Sequence, residues 1–129
     1  MYNNQYYITM IQYQIFLGMK NDNNIITSEN IYNFINYYIL NKNINFTITE
    51  GDGYYKDVKE KVTIITIITN EIKIKTIENI IKDIAKKYKS QFNQEHVIIS
   101  KIELSEFFII WYIYIYINNS SIVIRWYNE

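Results

Sequence analysis

The chain has 129 residues, with no cysteine, no proline, three glycines and a formal net charge of zero from 13 basic and 13 acidic residues. This length predicts one domain, residues 1–129, around one hydrophobic core, and the scarcity of glycine and proline argues against a disordered chain. The lack of cysteine excludes disulfides, thiolate metal sites and cysteine nucleophiles, and the balanced charge gives no electrostatic basis for binding duplex nucleic acid.

The first predicted elements are a strand and a helix. Apolar and β-branched residues predict a strand over 6–19, and the Asn/Asp-rich segment 20–26 predicts a loop. Thr27 is a suitable N-cap for a helix over 28–40, because its side chain can accept a hydrogen bond from the first turn. The apolar residues of this helix follow the 3.6-residue period: Ile31, Phe34, Ile35, Tyr38 and Ile39.

Two strands are predicted next. Residues 46–50 alternate with period two, which predicts a second strand that resumes at 54–56. Gly51-Asp52-Gly53 interrupts this strand, so we expect a bulge or a sharp bend there. A turn is predicted over 57–60, and the isoleucine-rich segment 61–69 predicts a third, buried strand.

A second helix and three further strands complete the pattern. Thr76 is the expected N-cap of this helix. Residues 97–99 begin a fourth strand, and two more strands, 107–117 and 122–127, are joined by a turn at 118–121. The helix carries an apolar stripe of Ile77, Ile80, Ile81, Ile84, Tyr88 and Phe92.

The element order is β-α-β-β-α-β followed by a hairpin, which predicts a ferredoxin-like fold of the α+β class. We expect a ferredoxin-like core over 6–107 and an added C-terminal β-hairpin over 108–129. Two helices would cover one face of the sheet, and the hairpin or a second subunit must cover the other. No apolar run approaches the roughly 20 residues of a spanning helix, and no signal peptide is recognisable. We therefore expect a cytoplasmic protein with no membrane partner.

Short motifs are spread along 13–107. They include Phe16-Leu17-Gly18, the glycine segment 49–56 and Glu60-Lys61-Val62, and the longest is Tyr88-x-x-x-Phe92-x-Gln94-Glu95-x-Val97. Together with the capped helix start at 27–31, they resemble a bacterial and phage family of domains of unknown function with a ferredoxin-like core. The resemblance implies the fold. His96 departs from the serine of that pattern, and the strands after Phe107 lie outside it.

The candidates for acid–base chemistry are His96, the only histidine, and its neighbour Glu95. Either side chain can act as a general acid or base. The structural interpretation, which we favour, is that Gln94 and Glu95 cap the end of the second helix and hold the following loop. No spacing of ligand residues defines a metal site, so we predict no metal and no cofactor.

The candidates for ligand binding are Asp52, Tyr54, Tyr55, Gln94 and Arg125. The glycines around Asp52 let a ligand approach the backbone, the carboxylate can accept from a ribose or an amine, and the tyrosines can stack on a ring. Arg125 is the only arginine, and its guanidinium suits an anion or a planar ligand. The structural alternative for the glycine segment is a bulge or turn.

The C-terminal hairpin is predicted to be a subunit interface. Both of its faces are apolar or amphipathic, and left open they would promote aggregation. Packing within one chain is the alternative. The predicted interface residues are Trp111, Tyr112, Tyr114, Tyr116 and Trp126.

These features predict a non-enzymatic homo-oligomer, encoded by a phage or virus, that binds a small nucleotide-like or aromatic ligand in the host cytoplasm. Such a protein could sequester a host immune signalling nucleotide. One alternative is a small dimeric α+β barrel enzyme that uses His96 or Glu95. Another is an inhibitor or structural protein that binds a protein partner through the aromatic hairpin.

Overall fold

A computed structural model gives the fold; it describes residues 9–21, 24–105, 112–118 and 121–127, with side chains in the first two ranges. The strands and helices follow one another in the predicted order, with two short 3-10 helices at Leu40–Lys42 and Glu71–Lys73. The elements are β1 (Met10–Gly18), α1 (Ser28–Tyr38), β2 (Thr47–Tyr55), β3 (Val58–Asn70), α2 (Ile74–Gln91), β4 (Ile98–Leu104), β5 (Tyr112–Asn118) and β6 (Ser121–Tyr127).

Four strands form one antiparallel sheet in the order β2-β3-β1-β4. The α+β class, with a four-stranded antiparallel sheet and two helices, is therefore confirmed. β5 and β6 pair with each other as a separate antiparallel sheet, from Tyr112 opposite Tyr127 to Asn118 opposite Ser121. The two predicted hairpin strands are thus paired as expected, while their side chains, and all of Trp111, lie outside the described residues.

The four-stranded sheet has one covered face, which we call the helix face. Alternate residues of β1 and β3 are buried there against the apolar stripes of both helices. The intervening residues form the open face, which no helix in the described part of the chain covers. The centre of the core consists of Tyr13, Ile15, Leu17, Phe34, Ile35, Ile65, Ile67, Ile81, Ile84 and Tyr88.

Thr27 caps α1 as predicted. Its Oγ1 accepts a hydrogen bond from the Asn30 backbone N at 3.1 Å, and the Asn30 side chain accepts from the Thr27 backbone N at 3.1 Å. This reciprocal pair satisfies two donors of the first turn. The helix ends at Tyr38 rather than Leu40, because the chain tightens into a 3-10 turn that closes at Asn43, in the left-handed region with φ 57°.

The predicted bulge at the glycines of β2 is wrong. Every residue of β2 stands opposite one residue of β3, from Thr47 opposite Thr66 to Tyr55 opposite Val58, with no extra residue on either strand. The predicted turn at 57–60 also lies elsewhere, at Lys56 and Asp57, which have φ values of 49° and 66°. Two central residues with positive φ form the tight turn that best matches strand twist, so β3 begins directly at Val58.

Thr76 is not the N-cap of the second helix. The Asn70 side chain accepts from the backbone N of Ile72 at 3.0 Å and of Lys73 at 3.2 Å, and a 3-10 turn leads from there into α2. Thr76 lies inside the helix. The predicted stripe is confirmed, with Ile77, Ile81, Ile84 and Tyr88 buried. Neither α2 nor any other described helix is long and apolar enough to cross a membrane.

A polar contact at the margin of the core links β1, α2 and β4. Tyr13 Oη donates to Glu78 Oε2 at 2.5 Å, and Lys101 Nζ donates to the same oxygen at 2.8 Å. Burial, and then the hydrogen bond to Glu78, raise the pKa of Tyr13. Hydrogen bonds from Lys101 and Tyr13 lower the pKa of Glu78. Three elements are thereby held together through one carboxylate.

Candidate functional site

Three glycines lie near one another on the open face, at the end of the sheet where β1 and β2 finish. Val62 stands opposite both Gly18 on β1 and Gly51 on β2, and Gly53 stands opposite Glu60. Opposite residues of an antiparallel pair share a face, so no side chain rises from the glycine positions around Glu60. We call this area the Glu60 recess and define it by Gly18, Gly51, Gly53, Tyr55, Glu60, Gln94 and His96.

The carboxylate of Glu60 lies directly above Gly18. A Cβ added to Gly18 would be 2.6 Å from Glu60 Oε1 and 2.9 Å from Gln94 Oε1, which is closer than real Cβ atoms approach. Glycine is therefore needed at position 18 for both side chains to occupy these places. No described residue donates a hydrogen bond to the Glu60 carboxylate or forms an ion pair with it. The carboxylate is thus available to a ligand.

Gln94 is held in place by the loop that follows α2. Its Nε2 donates to the backbone O of Lys20 at 3.1 Å and of Phe92 at 3.3 Å, and its backbone N donates to Lys89 O at 3.0 Å. Asn93, with φ 51°, turns the chain sharply at this point. The amide nitrogen of Gln94 is occupied by these bonds, so its Oε1 is the atom turned toward Gly18 and Glu60.

Tyr88 supports the recess from the helix face. Its ring is fully buried, and its Oη donates to Gly18 O at 2.6 Å. Burial, and then the negative charge of Glu60, raise the pKa of Tyr88. The phenol therefore stays protonated and keeps its bond to the backbone of Gly18, which fixes the end of β1 beneath the carboxylate.

Two rings stand at the far side of the recess. The centroid of the His96 ring lies 6.4 Å from that of Tyr55, with an interplanar angle of 58°. His96 belongs to the segment before β4, whereas Tyr55 ends β2, so the two rings come from opposite edges of the sheet. Both side chains are exposed, and they can contact a ring placed over the glycines.

The other predicted site residues lie apart from this recess. Asp52 and Tyr54 alternate with the recess residues of β2 and so belong to the opposite face. Asp52 pairs with Lys59 at 3.6 Å, and Tyr54 is 71% exposed. Glu95 is exposed beside the recess. The side chain of Arg125 lies outside the described residues. The structure thus brings Tyr55, Gln94 and His96 together and separates them from Asp52 and Tyr54.

A cavity of about 150 Å³ lies between α1 and strands β2 and β3. Ser28 Oγ donates to Glu50 Oε1 at 3.4 Å at its edge, and Thr63 Oγ1 donates to Met19 Sδ at 3.2 Å at its floor. Ligand pockets for drug-sized molecules measure about 300–1,000 Å³. This cavity is too small for a nucleoside, and the Glu60 recess is the candidate that we develop because it holds a carboxylate with no partner among the described residues.

The chemistry of the recess favours a cation. Glu60 brings a negative charge, and none of the seven recess residues is a lysine or arginine. Beside them, Lys56 Nζ lies 5.5 Å from the centroid of the Tyr55 ring. A phosphate would be repelled by the carboxylate, whereas a positively charged ligand would be attracted, more strongly than in bulk water because Glu60 is half-buried. Within the described ranges, no group of three or more His, Asp or Glu side chains could hold a metal ion.

Comparison with known proteins gives one family and one solved structure. The family model described as Protein of unknown function (DUF3574) matches residues 12–108. No match was found among curated protein sequences. A solved structure described as a phage SAM lyase in the apo state is similar, with a TM-score of 0.54 and 16% identity over 74% of this chain and 81% of that chain. At that identity the similarity concerns the fold. The predicted resemblance to an uncharacterised family is confirmed.

Proposed function

Since the chain belongs to this family of proteins of unknown function, we propose a function from its own recess: it binds a small, positively charged, nucleoside-like ligand. The observation that carries the proposal is the half-buried, unpaired carboxylate of Glu60 beside three glycines. A charge in such a place is stabilised when a ligand supplies the opposite charge. Tyr55 and His96 supply ring surfaces for a base.

S-adenosylmethionine is the first compound to test. It combines an adenine ring with a sulfonium cation, which are the two features that the recess can recognise. The similar phage protein is described as a SAM lyase, which supports the choice of this compound and also a phage source for this chain. The order β-α-β-β-α-β supports the finer assignment to the ferredoxin-like fold.

The charge of the recess bears on the hypothesis of a sequestered immune signalling nucleotide. Such a molecule carries phosphates, and Glu60 offers them no counter-charge. We therefore propose sequestration of a cationic nucleoside instead of an anionic nucleotide. Action in a host cytoplasm, as a phage-encoded homo-oligomer, remains part of the proposal.

Isothermal titration calorimetry on the full-length protein tests this function with three probes: S-adenosylmethionine, its neutral thioether S-adenosylhomocysteine, and ATP. We expect S-adenosylmethionine to bind most tightly, S-adenosylhomocysteine less tightly and ATP least tightly. Glu60→Gln should lower the affinity for S-adenosylmethionine about tenfold or more, because the charge partner is removed without a change of shape. Glu103→Gln, an exposed carboxylate on the helix face of β4, is the matched control and should bind normally.

Equal affinity of wild type and Glu60→Gln would show that the carboxylate does not recognise the ligand. Tighter binding of ATP than of S-adenosylmethionine would contradict the proposed charge preference. Absence of heat for all three probes would remove the support for this ligand class.

A second candidate is an enzyme that acts on the same ligand. It is favoured by the similarity to a protein described as a lyase, and by two groups in the recess that can transfer protons, His96 and Glu60. Incubation with S-adenosylmethionine followed by mass spectrometry would detect a product. His96→Ala should abolish product formation if His96 is the acid–base group, whereas a protein that only binds should give no product either as wild type or as His96→Ala.

A further inference from the structure

The open face of the sheet is uncharged outside the Glu60 recess. At each position where the strands pair, the side chains on this face are apolar, hydroxyl or amide groups. Its largest apolar members are Phe16, Ile64, Ile68, Ile98, Ile102 and Leu104. By contrast, α2 alone carries five lysines, at positions 75, 82, 86, 87 and 89. The open face is thus chemically unlike the surface of α2.

Large apolar side chains are left accessible on this face. Ile98 is 55% exposed, Ile102 49% and Ile68 41%. Two polar groups among them bond to each other, since Gln14 Nε2 donates to Thr66 Oγ1 at 3.2 Å. A contiguous surface with accessible apolar side chains and no charge is typical of an association site.

We infer that the open face is the surface through which two copies of this chain associate. Four strands about 4.8 Å apart and about 25 Å long give the face a projected area of roughly 500 Å². Protruding side chains make the accessible area larger, so the face approaches the roughly 800 Å² per partner of a standard interface. A neutral surface creates no charge repulsion when it meets its own copy, as an isologous contact requires.

The position of the recess fits this arrangement. Gly18, Gly51 and Glu60 lie at one end of the open face, at the rim of the inferred contact. A second copy on the face would therefore form a further wall of the recess and reduce the access of water to Glu60. This association needs no ligand, so it can be tested independently of the proposed binding function.

Light scattering coupled to size-exclusion chromatography on the full-length protein gives the test. We expect the wild type to be a dimer or larger, and Ile102→Lys to raise its dissociation constant at least tenfold, since two like charges would meet in an apolar contact. Ile72→Lys is the matched control. Ile72 is 77% exposed and lies in the 3-10 turn before α2, outside the strands that form the open face, so this variant should keep the wild-type mass.

Ile98→Lys provides a second variant on the same face, and circular dichroism establishes that each variant is folded. A monomeric wild type would overturn the inference and would point to the β5–β6 hairpin as the cover of the face. An oligomer that survives both open-face substitutions but dissociates in Tyr114→Ser would also overturn it, and would assign the contact to the predicted hairpin interface.

Discussion

Gly18 connects packing at a single residue with the proposed ligand site. Its missing side chain leaves room for Glu60 Oε1 and Gln94 Oε1, while its carbonyl accepts the hydrogen bond of Tyr88. Backbone and side chains on both sides of the sheet therefore depend on one position. No described group forms a hydrogen bond or an ion pair with the Glu60 carboxylate, so its position depends on the room that the missing side chain of Gly18 leaves.

Gly18→Ala is expected to destabilise the fold by about 1 kcal/mol, at the low end for overpacking, because the atoms that must move are side-chain ends. It should also displace Glu60 and weaken ligand binding. Gly51→Ala is the control, since an added Cβ there would make only ordinary contacts, with Val62 Cγ1 at 3.8 Å and Ile64 Cδ1 at 3.9 Å. Urea unfolding of both variants measures the difference.

A Gly18→Ala variant as stable as Gly51→Ala would contradict the expected steric conflict of the added Cβ with Glu60 and Gln94. Combining Gly18→Ala with Glu60→Ala extends the measurement. If the added methyl group and the Glu60 side chain compete for one space, Glu60→Ala should lower the free energy of unfolding less in Gly18→Ala than in the wild type.

The residues of the recess are only partly predictable from the sequence. The sequence indicates Gln94 as a side chain that ties the loop after α2, and its bonds to Lys20 O and Phe92 O agree with that interpretation. Glu60 looks like no more than the charged start of a strand, and sequence reasoning misses it as a site residue. Its proximity to Gly18 depends on the register of β1 against β3, which local pattern does not specify. The available signal is that Gly18, Glu60, Tyr88 and Gln94 all lie in the short motifs on which the predicted family resemblance is based.

At the scale of elements, α2 is attached to the sheet by apolar packing and by Glu78. This carboxylate accepts from Tyr13 on β1 and from Lys101 on β4. Because both donors favour its charged form, the pKa of Glu78 is lowered in the folded state. A lowered pKa means that the folded protein binds this proton less readily than the unfolded chain does.

The stabilisation from Glu78 should be fully present above the ordinary glutamate pKa of about 4.3 and should be lost as the pH falls through its lower folded value. We therefore expect Glu78→Gln to be less stable than wild type at pH 7, and the difference to shrink as the pH is lowered toward 3. Urea unfolding at several pH values measures it. Lys101→Met, which removes a donor, should reduce the same acid-sensitive contribution. A difference that is constant with pH would show that the charge of Glu78 is not the cause.

The type of each element is easier to predict than its ends. The stripe from Ile77 to Tyr88 identifies α2 because its period is a property of the segment alone. Threonine is a common cap, which places the predicted start at Thr76, but Asn70 performs that role six residues earlier through an added 3-10 turn. The glycines of β2 suggest a bulge, yet their register is continuous. Gly51 and Gly53 therefore leave open space on the surface of the sheet and add no extra residue to the strand.

At the scale of the whole molecule, the sheet has one face buried by helices and one face that no helix in the described part of the chain covers. The α+β class follows from the order of elements, because alternating strand and helix patterns restrict the possible layers. The order of elements does not indicate which surface would mediate association. The aromatic hairpin is the interface that the sequence predicts, whereas the uncharged open face becomes evident only when strand register places its residues together.

If two copies associate through the open face, the melting temperature should rise with protein concentration. Each tenfold increase in concentration stabilises a dimer by about 1.4 kcal/mol per mole of dimer. Differential scanning calorimetry over a hundredfold concentration range should show an increase of several degrees for the wild type and Ile72→Lys. Ile102→Lys, whose dimer is weaker, should show a smaller increase. A wild-type melting temperature independent of concentration would indicate a monomer.

The crowding at Gly18 has an evolutionary consequence. A substitution that adds a side chain at this position removes space used by Glu60 and Gln94, so changes at the three positions cannot be accepted independently. Relatives with alanine or a larger residue at the position of Gly18 should carry shorter side chains at one of the other two. Where the shortened residue is a neutral replacement of Glu60, the recess has no carboxylate, and we expect such relatives to have no preference for a cationic ligand.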